Sequence, residues 1–183
     1  HLEHRRQRQM CIRDSPGVIA QFQPNQHYPD HSSYLYALAD AMKVEYEGIA
    51  EAGLVIQIDS PDLALGRHVL FKDQSDQEFV AMAELHIEAL NHALQNIPAE
   101  QLRLHVCWGN YQGPHHCDIE MKKILPAVLK AKPMALSFEG ANPRHSHEWS
   151  VFRDAKIPEN KVLIPGVLAV SYTHLTLPTM FEV

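Results

Sequence analysis

The chain of 183 residues is long enough for one domain with a sizeable core, and its 45% hydrophobic content lies in the ordinary globular range. With 16 basic against 22 acidic side chains it carries a formal charge of -6, which excludes binding to a phosphate backbone through clustered Lys and Arg. No apolar run reaches the ~20 residues that cross a bilayer, and the few cysteines fit a reducing, cytoplasmic setting better than a disulfide framework.

The two ends read differently from the rest. Arg5 to Asp14 can be encoded by a DNA string whose reverse complement spells Val170 to Thr179 letter for letter. Base complementarity has no physical meaning between two peptide segments. Residues 1–15 and 170–183 are therefore read as tails derived from a sequencing adapter, flanking a native stretch 16–169. Setting them aside removes four arginines against Glu3, Asp14 and Glu182, so the charge of the native stretch becomes -7. The basic N-terminus then has no weight as a nucleic-acid arm, and Cys107 and Cys117 are the remaining thiols.

In chain order, Pro16 to Phe22 reads as the tail of a strand or a loop, followed by a Pro- and Asn-rich loop to Ser33. Leu35, Leu38, Met42, Tyr46 and Ile49 recur at helical spacing, with Asp30, Ser32 or Ser33 as N-cap and Gly53 as the stop. Leu54 to Ile58 is a short buried strand ending at Asp59. Asp62 to Gln74 is a loop with room for a short helix around Leu63 and Leu65. Ser75 and Glu78 form a capping box ahead of a long amphipathic helix through Phe79, Met82, Ala83, Leu90 and Leu94, closed by Ile97-Pro98. Leu102 to Val106 is the next strand. After a Gly- and His-rich loop, Asp118 is expected to cap a helix through Ile124, Val128 and Leu129, kinked or started late at Pro126. Met134 to Phe138 is a strand, Glu148 to Arg153 a short helix, and Lys161 to Val167 the last strand.

This alternation means an α/β fold with about four parallel strands joined by right-handed crossovers. In a barrel of such units the chemistry collects at the carboxyl ends of the strands. Here those ends carry Asp59, then His105 with Cys107, then Glu139. Two residues apart on a strand, His105 and Cys107 leave it on the same side, an arrangement suited to a soft cation such as zinc. A packed histidine and a buried thiol are the competing reading. Glu139 is a third possible ligand. His115, His116, His145 and His147 read as solvated or loop-fixing histidines, although His115-His116 beside Cys117 has the composition of an incidental metal site. Cys117 itself reads as a structural or incidental cysteine.

Four segments in order, LVIQIDSPDLA (Leu54 to Ala64), LHVCWGN (Leu104 to Asn110), LSFEGANPRH (Leu136 to His145) and KVLIPGV (Lys161 to Val167), resemble the catalytic domain of cobalamin-independent methionine synthase in its short, single-barrel branch. The resemblance implies a (β/α)8 TIM-type barrel, here incomplete, with zinc as cofactor and methyltetrahydrofolate as methyl donor to the thiol of homocysteine. By the same resemblance His105, Cys107 and Glu139 match zinc ligands, and Asp59 matches the aspartate that holds the homocysteine amino group. The family's last ligand, a second cysteine beyond the strand that follows the Ile164-Pro165-Gly166 motif, has no counterpart in this sequence.

A free thiol is mostly protonated at neutral pH, and coordination to zinc supplies the thiolate that attacks the methyl group. N5 of the donor needs a proton as the methyl leaves, and no residue of the sequence identifies the acid. Trp108, Tyr111 and Phe138 read as core or wall residues before a surface for the pterin ring. Two alternatives stand: a related zinc-dependent transferase using coenzyme M or a corrinoid donor, and an inactive barrel fragment. Asp59 favours a thiol that bears an ammonium group over one that bears a sulfonate.

Overall fold

Residues 10–109 and 113–167 are described in the computed structural model, so Tyr111 lies outside it. The described elements are β1 (Met10–Asp14), α1 (Pro16–Phe22), α2 (His31–Glu51), β2 (Val55–Ser60), α3 (Leu65–Val69), α4 (Asp76–Ala93), β3 (Leu102–Val106), α5 (Met121–Val128), β4 (Ala135–Glu139), α6 (Trp149–Asp154) and β5 (Val162–Gly166). Three 3₁₀ turns, Pro61–Leu63, Ala99–Gln101 and Ser146–Glu148, complete the connections. No helix among the described residues is long and apolar enough to cross a membrane.

The local signals set the main boundaries. The Asp30 carboxylate accepts the Ser33 N–H at 2.7 Å and starts α2, and Gly53, at φ +76°, turns the chain out of it toward β2. Ser75 and Glu78 form the reciprocal capping box that opens α4.

All strands are parallel, in the order β1-β2-β3-β4-β5. Right-handed crossovers between successive neighbours all pass over the same face, so the sheet is the wall of a barrel, whereas a doubly wound sheet reverses its strand order. The structure is an α/β fold built as an incomplete (β/α)8 barrel. Side chains alternate across this wall. Ile56, Ile58, Leu102, Leu104, Val106, Leu136 and Phe138 are buried in one cluster with Leu35, Phe79, Ile87, Leu90 and Ile124 of the helices. Each such side chain contributes about 1.5–3 kcal/mol. The residues between them, Gln57, Asp59, Arg103, His105, Ser137 and Glu139, face the other way and are half-buried.

Three segments differ from expectation. Four strands were expected, and β1 adds a fifth from within the stretch set aside as a tail. Its side chains are mostly exposed and it is held by main-chain pairing with β2, which any non-proline residue can make. Pro16 to Phe22 is a helix and not a strand tail: the Ser15 hydroxyl accepts the Val18 N–H at 3.2 Å, and Pro16 occupies the first turn. Asp118 does not cap α5, which begins at Met121 after Glu120, because its carboxylate is drawn to His115 and His145 instead. The helix runs through Pro126 and ends at Val128.

Beneath α1 runs a buried polar chain. Ser15 Oγ donates to Asp62 Oδ1 at 2.7 Å, Asp62 Oδ2 lies 2.8 Å from His86 Nδ1, and His86 Nε2 lies 3.1 Å from His31 Nε2. Asp62 and His86 are each 2% exposed, so the pairing offsets the cost of removing them from water. Gly17 packs directly on this pair, and a Cβ there would overlap both Asp62 and His86. Gly17→Ala is therefore expected to lower stability by about 1–3 kcal/mol. Gly48 on α2 has nothing within 4 Å of an added Cβ, so Gly48→Ala is expected to raise stability by roughly 1 kcal/mol. Urea unfolding of the two variants measures both effects, and equal shifts would refute the packing argument.

Candidate metal centre

Strand register decides which polar groups meet. Asp59 on β2 lies opposite His105 on β3, which lies opposite Ser137 on β4, all on the half-buried face. One step nearer the carboxyl ends, Cys107 follows His105 and Glu139 follows Ser137 on that face. Asp59, His105 and Cys107 each offer a donor atom within 4.8 Å of the other two. Glu139 is not in that group. Its Oε2 accepts from Asn142 Nδ2 at 2.6 Å, so it borders the centre with one oxygen committed elsewhere.

The turn after β3 holds Cys107 from several sides. Its carbonyl accepts the Leu65 N–H at 3.2 Å, and its Sγ accepts the Gly109 N–H at 3.2 Å. Trp108 is fully buried and donates from Nε1 to the Ile119 carbonyl at 2.9 Å. Gly109 has φ +74°, a backbone angle that favours glycine, and it packs against the Leu65 side chain.

The donor set fits zinc. Thiolate, imidazole and carboxylate are its usual ligands, and Asp59 Oδ1 and His105 Nδ1 are buried with no hydrogen-bond partner among the described residues. Burial raises the Asp59 carboxyl above the usual carboxylate range; His105 pulls it down, and Asp14 and Asp62 add to the rise. Burial also pushes the Cys107 thiol up to about 11; the Gly109 N–H opposes this, and the Asp59 and Glu139 carboxylates reinforce it.

The remaining sequence candidates separate clearly. Trp108 and Phe138 are core, as expected, and Phe138 stacks on Phe152 at 4.0 Å. The His147 side chain is 72% exposed, a solvated residue. His116 and Cys117 line a surface cleft with His68, Val69 and Lys72. Of the two readings of His115 and His145, solvated or loop-fixing, the structure favours the second, since both side chains are buried against Asp118. The Ser15–Asp62–His86 chain went unnoticed in the sequence because its members are 47 and 24 residues apart. Only the density of His around Asp118 hinted at the other cluster.

The raised thiol has a consequence for stability. Between about 9 and about 11 the folded state keeps the Cys107 proton and the unfolded chain loses it, so stability falls as pH rises through that window. In metal-free buffer the protein is expected to lose stability relative to Cys107→Ser over this range, measured by chemical denaturation at each pH. A constant difference would refute the assignment.

No family model matches the chain. It is 30% identical over 126 residues to a methionine synthase of Saccharolobus solfataricus, a match covering 66% of this chain and 34% of that protein. It is 31% identical over 97 residues to the methionine synthase of Pyrococcus abyssi, covering 52% and 25% respectively. The chain thus spans about a third of the curated relatives it matches. Its fold superposes with a TM-score of 0.62 and 18% identity on a B12-independent methionine synthase from Shewanella sp. W3-18-1, solved in complex with selenomethionine, over 88% of this chain and 45% of that one. Matching strands, ordered motifs and named relatives agree: the chain is similar in sequence to methionine synthases and in fold to a B12-independent one, in keeping with the resemblance to that family.

Proposed function

We propose that this chain is the zinc-bearing part of a cytoplasmic methyltransferase that moves a methyl group from 5-methyltetrahydrofolate to the thiol of homocysteine, forming methionine. The observation that carries the reading is the convergence of Asp59, His105 and Cys107 within 4.8 Å, on the half-buried face at the carboxyl ends of β2 and β3. The structural neighbour's complex with selenomethionine, a selenium form of the expected product, supports the same substrate class.

In this reading His105 and Cys107 hold the zinc and Glu139 is the third donor from this chain. When bound, the ion supplies a thiolate at neutral pH by removing the substrate's thiol proton. Asp59 orients the substrate by pairing with its ammonium group. The Gly109 N–H, donated to Cys107 Sγ, favours the ionised ligand. We assign no residue to protonate N5 of the donor. Residues 1–15 and 170–183 are read as adapter-derived ends of this part.

A second assignment of the third donor has an observation in its favour, because Asp59 stands within the donor span and Glu139 does not. Zinc content by plasma mass spectrometry, measured for Glu139→Gln and Asp59→Asn, separates the two. The first assignment expects Glu139→Gln to lose zinc by at least ~10-fold in affinity while Asp59→Asn retains it; the second expects the reverse. Full zinc retention by His105→Ala with Cys107→Ala would overturn the zinc reading itself. For the full-length parent, methyl transfer to homocysteine but not to coenzyme M is expected, and the opposite preference would replace the substrate.

A further inference from the structure

A second group of metal-type donors lies outside this centre, and methyl transfer makes no use of it. His115 Nδ1 stands 2.6 Å from Asp118 Oδ2, and His145 Nε2 stands 3.0 Å from the same oxygen. One donor atom from each of the three lies within 4.8 Å of the others. Their side chains are 6%, 7% and 6% exposed. Asp118 Oδ1 is buried without a hydrogen-bond partner among the described residues, and His145 Nε2, despite its short distance to Asp118, makes no hydrogen bond with it. A buried carboxylate oxygen left unpaired is costly, and so is a buried imidazole nitrogen in the same position. A cation held among the three donor atoms would offset both costs.

The surroundings favour a bound ion. His115 and Asp118 lie on the connection from β3 to α5, and His145 on the connection that follows β4. The His145 ring stacks on Trp108 at 4.4 Å with an interplanar angle of 19°, which fixes its plane. His68 Nδ1 lies 3.9 Å from Asp118 Oδ1, within ion-pair range and beyond hydrogen-bond range. A surface cleft lined by His68, Val69, Lys72, His116 and Cys117 neighbours the site through His68, whose ring stacks on His115.

We infer that His115, Asp118 and His145 form a second metal site, taking a divalent transition ion of the zinc, cobalt or nickel type through two imidazoles and one carboxylate. The ion joins the loops after β3 and β4 over Trp108, and so steadies the turn that presents Cys107. This site contains no thiolate, which separates it from the Cys107 centre in any spectroscopic measurement.

The test is cobalt(II) titration of the full chain prepared free of metal, following absorption and bound cobalt together. Cys107→Ala is expected to abolish the thiolate-to-cobalt charge-transfer band while one equivalent of cobalt still binds. Adding His145→Gln or Asp118→Asn should weaken that remaining equivalent by at least ~100-fold, whereas His116→Gln and Cys117→Ser should leave it unchanged. Absence of the charge-transfer band in the unsubstituted chain would count against the zinc reading alone, leaving the second equivalent intact. The inference is overturned if the Cys107→Ala protein binds no cobalt, if His145→Gln binds as before, or if the loss follows His116 and Cys117. Should the double variants fail to fold, cobalt must raise the unfolding midpoint of the Cys107→Ala protein, and no rise is equally fatal.

Discussion

Main-chain pairing of β2 with β3 places Ile56 against Leu102 and Asp59 against His105, and everything at the carboxyl end of the sheet depends on that register. Because side chains alternate, the same pairing sends Ile56, Ile58, Leu102 and Leu104 into the helices and Asp59, His105 and Cys107 to the opposite face. A slip of one residue would bury the carboxylate and the imidazole in the core and expose the leucines. The apolar face therefore enforces the polar one. Hydrophobic burial acts on alternate residues, and the functional groups occupy the positions in between.

The connections after the strands complete what register begins. Asp59 is followed directly by Ser60 and the Pro61 turn, which carries Asp62 back into the core to meet Ser15 and His86. A buried carboxylate with both oxygens engaged anchors the end of β2 beneath α1. The end of β3 is anchored differently, by the buried Trp108 indole and the Gly109 turn against Leu65. Each strand end bearing a candidate donor is thus followed, within three residues, by a side chain locked in the interior. Such anchoring matters for a metal centre, whose donors must hold their positions while the ligand sulfur exchanges.

Electrostatics at the centre pull in one direction. Burial and the neighbouring carboxylates hold the Cys107 thiol protonated, and burial also favours the neutral form of Asp59. A divalent cation relieves both at once, since it stabilises thiolate and carboxylate together. The same reasoning applies around Asp118, where two histidines crowd a carboxylate that keeps an oxygen unpaired.

Much of this was legible in the sequence because the signals are local. The Asp30 cap, the Ser75 and Glu78 box, the Gly53 stop and the four strands from Val55 onward depend on spacing within one turn or one pleat. The ordered motifs around Asp59, His105, Cys107 and Glu139 were visible for the same reason. Pro16 to Phe22 was misread because its helix is started by Ser15, which belonged to a stretch set aside. Asp118 was misread because its local promise as a cap lost to two histidines, one of them brought in by another strand. The sequence by itself determined the α/β alternation, the resemblance to methionine synthases and the polar groups at the strand ends, since periodicity and short motifs survive without knowledge of contacts. Only the tertiary structure decided that Asp59 and not Glu139 stands within reach of both His105 and Cys107, and that His115, Asp118 and His145 meet, because those distances are set by strand register and loop closure between residues far apart in the chain.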